Sequence, residues 1–301
     1  MTIALTGATG FVGQAVLDAA AREGTQVRAL TRRPQPEMEG VTWVEGDLQN
    51  KEALRQLVAG SEAIVHVAGL TNTPNPAGFH EANVFGTRNV LRAAQDAGTA
   101  RFVFTSSLSA RESELSRYGA SKYEAEKWVA ASGLDYTIVR PPAVYGPRDK
   151  DMFELFRAAR YGIIPVPPRG RISIIHVDDL AECLLALASA RSLSFKIVEP
   201  DDGREGGYEH GDLARRIGRA MGRRIFAPHL PKTLLSIAAH GDRVLRKDKA
   251  KLTPDRVGYM VHPDWVCTPG LAVPKDIWSP RISATQGLDA TADWYRANGW
   301  L

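Results

Sequence analysis

Tyr118 and Lys122 stand four residues apart in Tyr118-Gly119-Ala120-Ser121-Lys122, a spacing that puts both on one face of a helix. A free phenol has a pKa of about 10 and is a poor base at neutral pH. An adjacent ammonium favours the phenolate, so the pair can serve as a proton donor and acceptor. The run Thr105-Ser106-Ser107 comes shortly before it, and a serine hydroxyl there can hydrogen-bond a reacting carbonyl or alcohol oxygen. Neither signal is specific alone. Tyr–Lys pairs recur on ordinary helix surfaces, and a serine at a strand end often serves only to form a turn.

A second constellation lies at the start of the chain. The apolar run over residues 3–6 leads into Gly7-Ala8-Thr9-Gly10-Phe11-Val12-Gly13, which opens a helical pattern. A phosphate needs backbone N–H groups at a helix N-terminus, and close approach requires missing side chains. Gly7 permits the tight turn, Gly10 the approach of a pyrophosphate, and Gly13 close helix–strand packing. Thr9, Phe11 and Val12 belong to the same turn and are expected to touch the dinucleotide. An acidic residue about 20 positions on would bind the ribose 2′-hydroxyl of NAD. The second strand instead ends Leu30-Thr31-Arg32-Arg33, with no Asp or Glu before Glu37. A guanidinium pairs with a 2′-phosphate, so NADP(H) is favoured over NAD(H). The competing reading is a solvated arginine pair on a loop.

Short β-branched runs position these groups. Strands are predicted over 3–6, 27–31, 42–45, 63–67, 101–105 and 136–140, with helices over 11–23, 52–59, 82–97 and 118–131. Such alternation argues for a parallel sheet covered on both faces. Right-handed crossovers make it doubly wound. After Arg140 prolines break the rhythm; a strand is expected over 172–176, a helix over 178–189 behind an Asp178 cap, and a strand over 195–198. The remainder reads as helical and irregular, ending in a helix over 284–298. The expected architecture is an α/β, doubly wound parallel-sheet Rossmann fold with a smaller C-terminal substrate-binding lobe. Residues 1–145 plus about 171–200 form the first part, and 146–170 plus 201–301 the second.

Bulk composition excludes several classes. The excess of 38 Lys and Arg over 34 Asp and Glu is mild, and no basic stripe interleaves with aromatics, so nucleic acid is not an expected partner. Two cysteines, Cys183 and Cys267, lie far apart in no metal-binding spacing, and the histidines are scattered, so no metal site is expected. No run approaches about 18 apolar residues and no leader pattern opens the chain. A cytoplasmic protein with a small-molecule substrate and no membrane partner is the expectation.

The pieces above resemble the extended short-chain dehydrogenase/reductases, the NAD(P)-dependent epimerase/dehydratase superfamily. The resemblance also includes Gly46-Asp47-Leu48, His66-Val67-Ala68-Gly69, Asn83-Val84-Phe85-Gly86-Thr87, Arg140-Pro141-Pro142-Ala143-Val144-Tyr145-Gly146-Pro147 and Ile175-His176-Val177-Asp178-Asp179. It implies that Tyr118 is the catalytic acid/base, that Lys122 binds the nicotinamide ribose and tunes the tyrosine, and that Ser107 rather than Ser106 is the catalytic hydroxyl. It further implies that Asp47 and Leu48 receive the adenine, that Ala68 and Gly69 pass beneath the adenosine, and that Pro141, Ala143 and Val144 line the nicotinamide pocket. Asp47 as a loop cap and Asn83 as a structural residue are the plainer alternatives. The resemblance leaves a homodimer through the Tyr118 helix open.

Two departures narrow the chemistry. Ala143 stands where many sugar-nucleotide members carry Asn, and only ten residues separate Ser107 from Tyr118. His262-Pro263-Asp264-Trp265 and the C-terminal aromatics Trp294, Tyr295 and Trp300 are similar to relatives of the 3β-hydroxysteroid dehydrogenases, though as residues they read as packing. The expected activity is hydride transfer between NADP(H) and a carbonyl or alcohol carbon of a small apolar substrate. A sugar-nucleotide epimerase with tightly held cofactor and a non-enzymatic dinucleotide-binding subunit are the rivals. Phe153, Phe156, Tyr161, Ile163 and Ile164 are divided between core and substrate pocket, and Arg148, Arg157, Arg160, Arg169 and Arg171 could instead grip a diphosphate.

Overall fold

The computed structural model describes residues 1–73, 75–99, 101–246, 250 and 252–301. They form two compact units. The first comprises Met1–Pro141, Leu180–Glu199 and Val273–Ser279. Its strands are β1 (Thr2–Thr6), β2 (Gln26–Thr31), β3 (Val41–Glu45), β4 (Ala63–His66), β5 (Arg101–Thr105), β6 (Asp135–Val139) and, tenth in chain order, β10 (Lys196–Val198). They make one parallel sheet in the order β10-β6-β5-β4-β1-β2-β3. The order reverses beside β1, and in such sheets the crevice outside the strand ends at the reversal receives ligands. Strands β4 and β5 are buried at every residue, as a parallel sheet covered on both faces requires.

Helices α1 (Phe11–Glu23), α2 (Lys51–Val58), α3 (Ala77–Phe79), α4 (Gly86–Ala97) and α5 (Arg117–Ala130) belong to this unit. Gly24 ends α1 in the left-handed conformation, φ 67°, and its N–H returns to the Ala20 and Ala21 carbonyls. Asn50 caps α2 by accepting from the Ala53 amide. The single helix expected over 82–97 is instead α3, a π-helical turn over His80–Phe85, and then α4. The wider turn turns Asn83 inward, where its side chain is bonded on three sides.

The second unit comprises Pro142–Asp179, Pro200–Ala272 and Pro280–Leu301. Parallel strands β7 (Ala143–Tyr145) and β9 (Ile174–His176) form one small sheet. Strand β8 (Arg171–Ile172) lies between β11 (Tyr208–Glu209) and β12 (Asp264–Trp265) in another. The strand expected over 172–176 is therefore two strands in separate sheets, and neither joins the large one. Ser173 makes the break: its amide donates to the Trp265 carbonyl and its hydroxyl to Asp201 at 2.7 Å. Against the expected bounds, residues 142–145 and 171–179 group by contact with the second unit, and 273–279 with the first.

Helices α6 (Phe153–Ala159), α8 (His210–Ala220), α9 (Lys232–Arg246), α10 (Pro254–Met260) and α11 (Ala284–Ala297) complete this unit. Helix α7 (Val177–Ser189) begins in it and contributes residues 180–189 to the first. The expected Asp178 cap is not what starts α7; the His176 ring accepts from the Asp178 amide at 3.3 Å. A capping box of Ser283 and Gln286 starts α11. Tyr295 packs edge-on against Phe153 and Phe156 and stacks on Trp300. Phe156 and Ile164 are fully buried, whereas Tyr161 and Ile163 are exposed, so the apolar cluster is mostly packing. Among the described residues no helix is long and apolar enough to cross a membrane, and no cluster could hold a metal ion.

Candidate active site

The glycine turn is built by close approach. Gly7 has φ 74°, and a Cβ there would lie 2.7 Å from the Ala68 nitrogen. A Cβ on Gly13 would come within 2.0 Å of the Gly7 carbonyl oxygen, so α1 can abut the turn only with glycine present. At Gly10 a Cβ would meet only the Gly7 oxygen, at 3.2 Å, and no side chain caps the helix it precedes. Thr9 and Gly10 are exposed, with Phe11 and Val12 half-buried behind them. Free N–H groups at an uncapped helix start, with no side chain in the way, fit a pyrophosphate.

Register places Thr6 beside His66 and His66 beside Phe104 at the ends of β1, β4 and β5. A directed chain of hydrogen bonds crosses these strands. The Ala68 amide donates to Thr6 Oγ1 at 3.2 Å; Thr6 donates to His66 Nδ1 at 2.6 Å, because Thr87 gives its own proton to the Asn83 carbonyl and so needs the ring proton on Nε2. His66 Nε2–H then donates to Thr87 Oγ1 at 3.0 Å, and Thr87 donates to the Asn83 carbonyl at 2.6 Å. Burial, and then the Lys122 charge, push the imidazole down to about 3, so it stays neutral. Its work is to hold Ala68 and Gly69 beneath the glycine turn.

Asn83 finishes that support. Its Oδ1 accepts from the Leu70 amide at 2.7 Å, and its Nδ2 donates to the Leu70 carbonyl and to Ser121 Oγ on α5. Both polar atoms of the Asn83 side chain are thus bonded within the protein. A Cβ on Gly69 would meet Asn83 Oδ1 at 2.9 Å and Lys122 Nζ at 3.6 Å. The segment after β4 and the Tyr–Lys helix therefore converge on one spot.

Ser116 caps α5 by accepting from the Gly119 amide at 2.9 Å, which presents Tyr118 on the first turn, half-buried and 6.0 Å ring-to-ring from Phe79. Lys122 is buried one turn later. Its Nζ donates to the Thr105 carbonyl at 2.6 Å and sits 4.6 Å from the Phe104 ring centre. Burial lowers its pKa to about 8, against the opposing pull of Glu126. Gly119 lets the helix abut the short turn after β5, because a Cβ there would lie 2.6 Å from the Ser109 carbonyl oxygen.

The two serines part company. Ser106 is buried and donates to Glu126 Oε1 at 2.5 Å. Ser107 is half-buried, and its oxygen accepts from the Ser109 amide at 3.2 Å, leaving its proton to be given elsewhere. Glu126 also receives a bidentate Arg140 pair at 2.8 and 2.6 Å. Sequence reasoning missed this ion pair. Its only local signal was an acidic residue one turn beyond Lys122, which reads as ordinary helix surface.

The remaining expected contacts fall as follows. Arg32 and Arg33 are exposed at the end of β2, with no carboxylate paired to either among the described residues. Asp47 is exposed and its Oδ1 accepts from the Gln49 and Asn50 amides at 2.8 and 3.1 Å, the loop-cap role. Leu48 is half-buried against Gly86, where a Cβ would meet its Cδ1 at 2.6 Å. The Pro141 carbonyl accepts from Leu108, next to Ser107, at 2.9 Å. Ala143 and Val144 lie two and three residues further along the chain, half-buried in β7 of the second unit. Cys183 and Cys267 are buried, and neither is in a disulfide.

The chain is similar along its length to known proteins. Over 99% of this chain and 96% of the relative, the sequence is 38% identical to the ceramide reductase of Caulobacter vibrioides. It is 31% identical to the 2-alkyl-3-oxoalkanoate reductase of Stenotrophomonas maltophilia, over 66% of this chain and 67% of the relative. Among solved structures, gox2253 superposes with a TM-score of 0.77 at 25% identity, covering 99% of this chain and 98% of the other. The UDP-glucose 4-epimerase of Thermotoga maritima shares the fold at a TM-score of 0.72 and 20% identity, with 99% of each chain covered. Residues 3–198 match the NAD dependent epimerase/dehydratase family, so the chain belongs to that family and is an NAD(P)-dependent enzyme of short-chain dehydrogenase/reductase type.

Proposed function

We propose that this enzyme reduces the carbonyl group of an apolar, lipid-like compound with NADPH. The observation that carries the reading is the end-to-end likeness to a ceramide reductase, which includes the C-terminal half where substrate lobes diverge. The nicotinamide, when bound, supplies hydride to the carbonyl carbon. Ser107 hydrogen-bonds the carbonyl oxygen through its hydroxyl, keeps its own proton and orients the group. Tyr118 gives that oxygen its proton, and the alcohol leaves. Lys122, as an ammonium, stabilises the negative charge that develops on the phenol oxygen as Tyr118 gives up its proton. Glycines 7, 10 and 13 with Thr9, Phe11 and Val12 hold the pyrophosphate, Arg32 and Arg33 the 2′-phosphate. Asp47, Leu48, Ala68 and Gly69 flank the adenosine, and Pro141, Ala143 and Val144 the nicotinamide. The exposed Tyr123 and Trp128 on α5 support a homodimer through that helix.

The test is NADPH absorbance with long-chain 3-oxo compounds on one side and UDP-sugars on the other. Oxidation of NADPH by the former, with no isomer formed from the latter, is the expected result. Micromolar binding of UDP with appearance of a sugar isomer would establish the epimerase instead.

Glu126 gives this reading a pH signature. Lys122 carries its charge below about 8 and loses it above. The reduction rate should therefore fall as pH rises through that value. Glu126 pulls the lysine upward, so Glu126→Gln should shift the alkaline limb to lower pH. The same change removes one of the two buried carboxylates beside Arg140, Glu199 at 3.9 Å being the other, and should lower the melting temperature. A pH–rate profile and a thermal melt on the same protein check both, and an unmoved limb would remove Lys122 from the rate.

A further inference from the structure

Helix α9 has two apolar faces, and only one is covered. Leu235 and Ala239, one turn apart, are buried with Val257 of α10, and Leu230, Leu252 and Val261 pack around them. Asp242 secures the helix further, accepting from the Leu252 amide at 2.9 Å. The other face carries Leu234, Ile237, Ala238, Gly241, Val244 and Leu245, the i, i+3, i+4, i+7 series that aligns side chains along a helix. All six are exposed. Leu234 is 49% exposed, Ile237 67%, Val244 76% and Leu245 84%. A stripe of this kind on a helix already anchored by its opposite side is made to be covered.

Charge says by what. From Lys232 to Lys251 the sequence holds six Lys and Arg against two Asp, a net charge of +4. The whole chain has the same net charge of +4, so its other residues balance at 32 of each sign. The twenty residues that bear the exposed stripe are thus net basic, and they adjoin residues 213–232, where six Lys and Arg face no Asp or Glu. Apolar side chains flanked by Lys and Arg are what an anionic bilayer attracts: the chains enter the acyl boundary and the cations meet lipid phosphates.

We propose that α9 lies on the surface of an anionic lipid bilayer, with Leu234, Ile237, Val244 and Leu245 inserted. The helix rests on the membrane and does not span it, so the absence of a long apolar run, on which the expectation of no membrane partner stood, does not bear on it. The inference depends on α9 alone and not on the substrate reading.

Flotation of the full chain with vesicles tests it. Binding to phosphatidylcholine vesicles containing about 30% phosphatidylglycerol should exceed binding to pure phosphatidylcholine by roughly tenfold or more. It should be lost near about 1 M salt, where charge is screened over about 3 Å. The double variant Ile237→Ser, Leu245→Ser should lose roughly tenfold or more while keeping the circular dichroism spectrum and melting temperature of the unaltered protein. Absence of flotation with either lipid, or equal flotation of the variant, would overturn the proposal. So would a dimer in solution that the variant converts to monomer without any vesicle binding, since the face would then belong to a second copy. None of these readouts uses a substrate, so failure of the reductase reading would leave them unchanged.

Discussion

Replacing Tyr118 by phenylalanine is expected to lower carbonyl reduction by about 10² or more, the usual cost of losing a general acid. Dinucleotide affinity should stay within about twofold, because the ring and its packing against Phe79 survive the change. The physical reason lies in the neighbourhood rather than in the tyrosine. Lys122 is buried, held by the Thr105 carbonyl, and carried on the same helix face one turn away. Burial weakens its own hold on a proton to about 8, so near neutral pH it remains a cation in a low-dielectric setting, where a charge acts strongly on an adjacent phenol. Ser107 can orient a carbonyl without the tyrosine but cannot replace the proton it supplies. The loss should therefore appear in kcat, with KM little changed. Single-turnover measurement of NADPH oxidation separates the chemical step from product release, and wild-type turnover in the phenylalanine variant would remove Tyr118 from catalysis.

The first six strands were legible to within a residue because each is a short β-prone run followed within three residues by glycine, proline or polar residues. The glycine turn was legible for a related reason: Gly10 and Gly13 close on Gly7 and Ala8 within the turn itself, although Gly7 also meets Val67 and Ala68, far along the chain. What escaped depends on partners distant in sequence. The π-helical turn exists because Asn83 reaches Leu70 and Ser121, neither of which marks the local sequence as anything but helix. Ser173 splits a run that looks like one strand because its partners are Asp201 and Trp265. The resemblance pointed to Ser107 over Ser106, but nothing local marked the Ser106 hydroxyl as bound to Glu126, twenty residues on. The second apolar stripe of α9 was present in the sequence throughout, but burial alone shows which of its two faces the fold has used.

NADPH should bind more tightly than NADH, and changing Arg32 and Arg33 together to alanine should erase most of the difference. The loop after β2 is already set for this. Thr31 Oγ1 donates to the Arg33 carbonyl at 2.6 Å and accepts from the Arg33 amide at 3.3 Å, which folds the backbone into a fixed turn. The two guanidinium groups project from that turn, exposed, with no acidic residue before Glu37 to neutralise them. A hydrogen bond to a charged group contributes about 1.5–3 kcal/mol, which corresponds to roughly ten- to hundredfold in affinity. Because the groups are exposed, salt should screen the attraction, so the preference should shrink as ionic strength rises. Loss of the 2′-phosphate contact should leave NADH binding nearly unchanged in the variant, since NADH has no group there to lose. Calorimetric titration of both cofactors into both proteins at two salt concentrations reads all of this. Equal affinities in the unaltered protein would return Arg32 and Arg33 to the role of a solvated loop pair and make NAD the working cofactor.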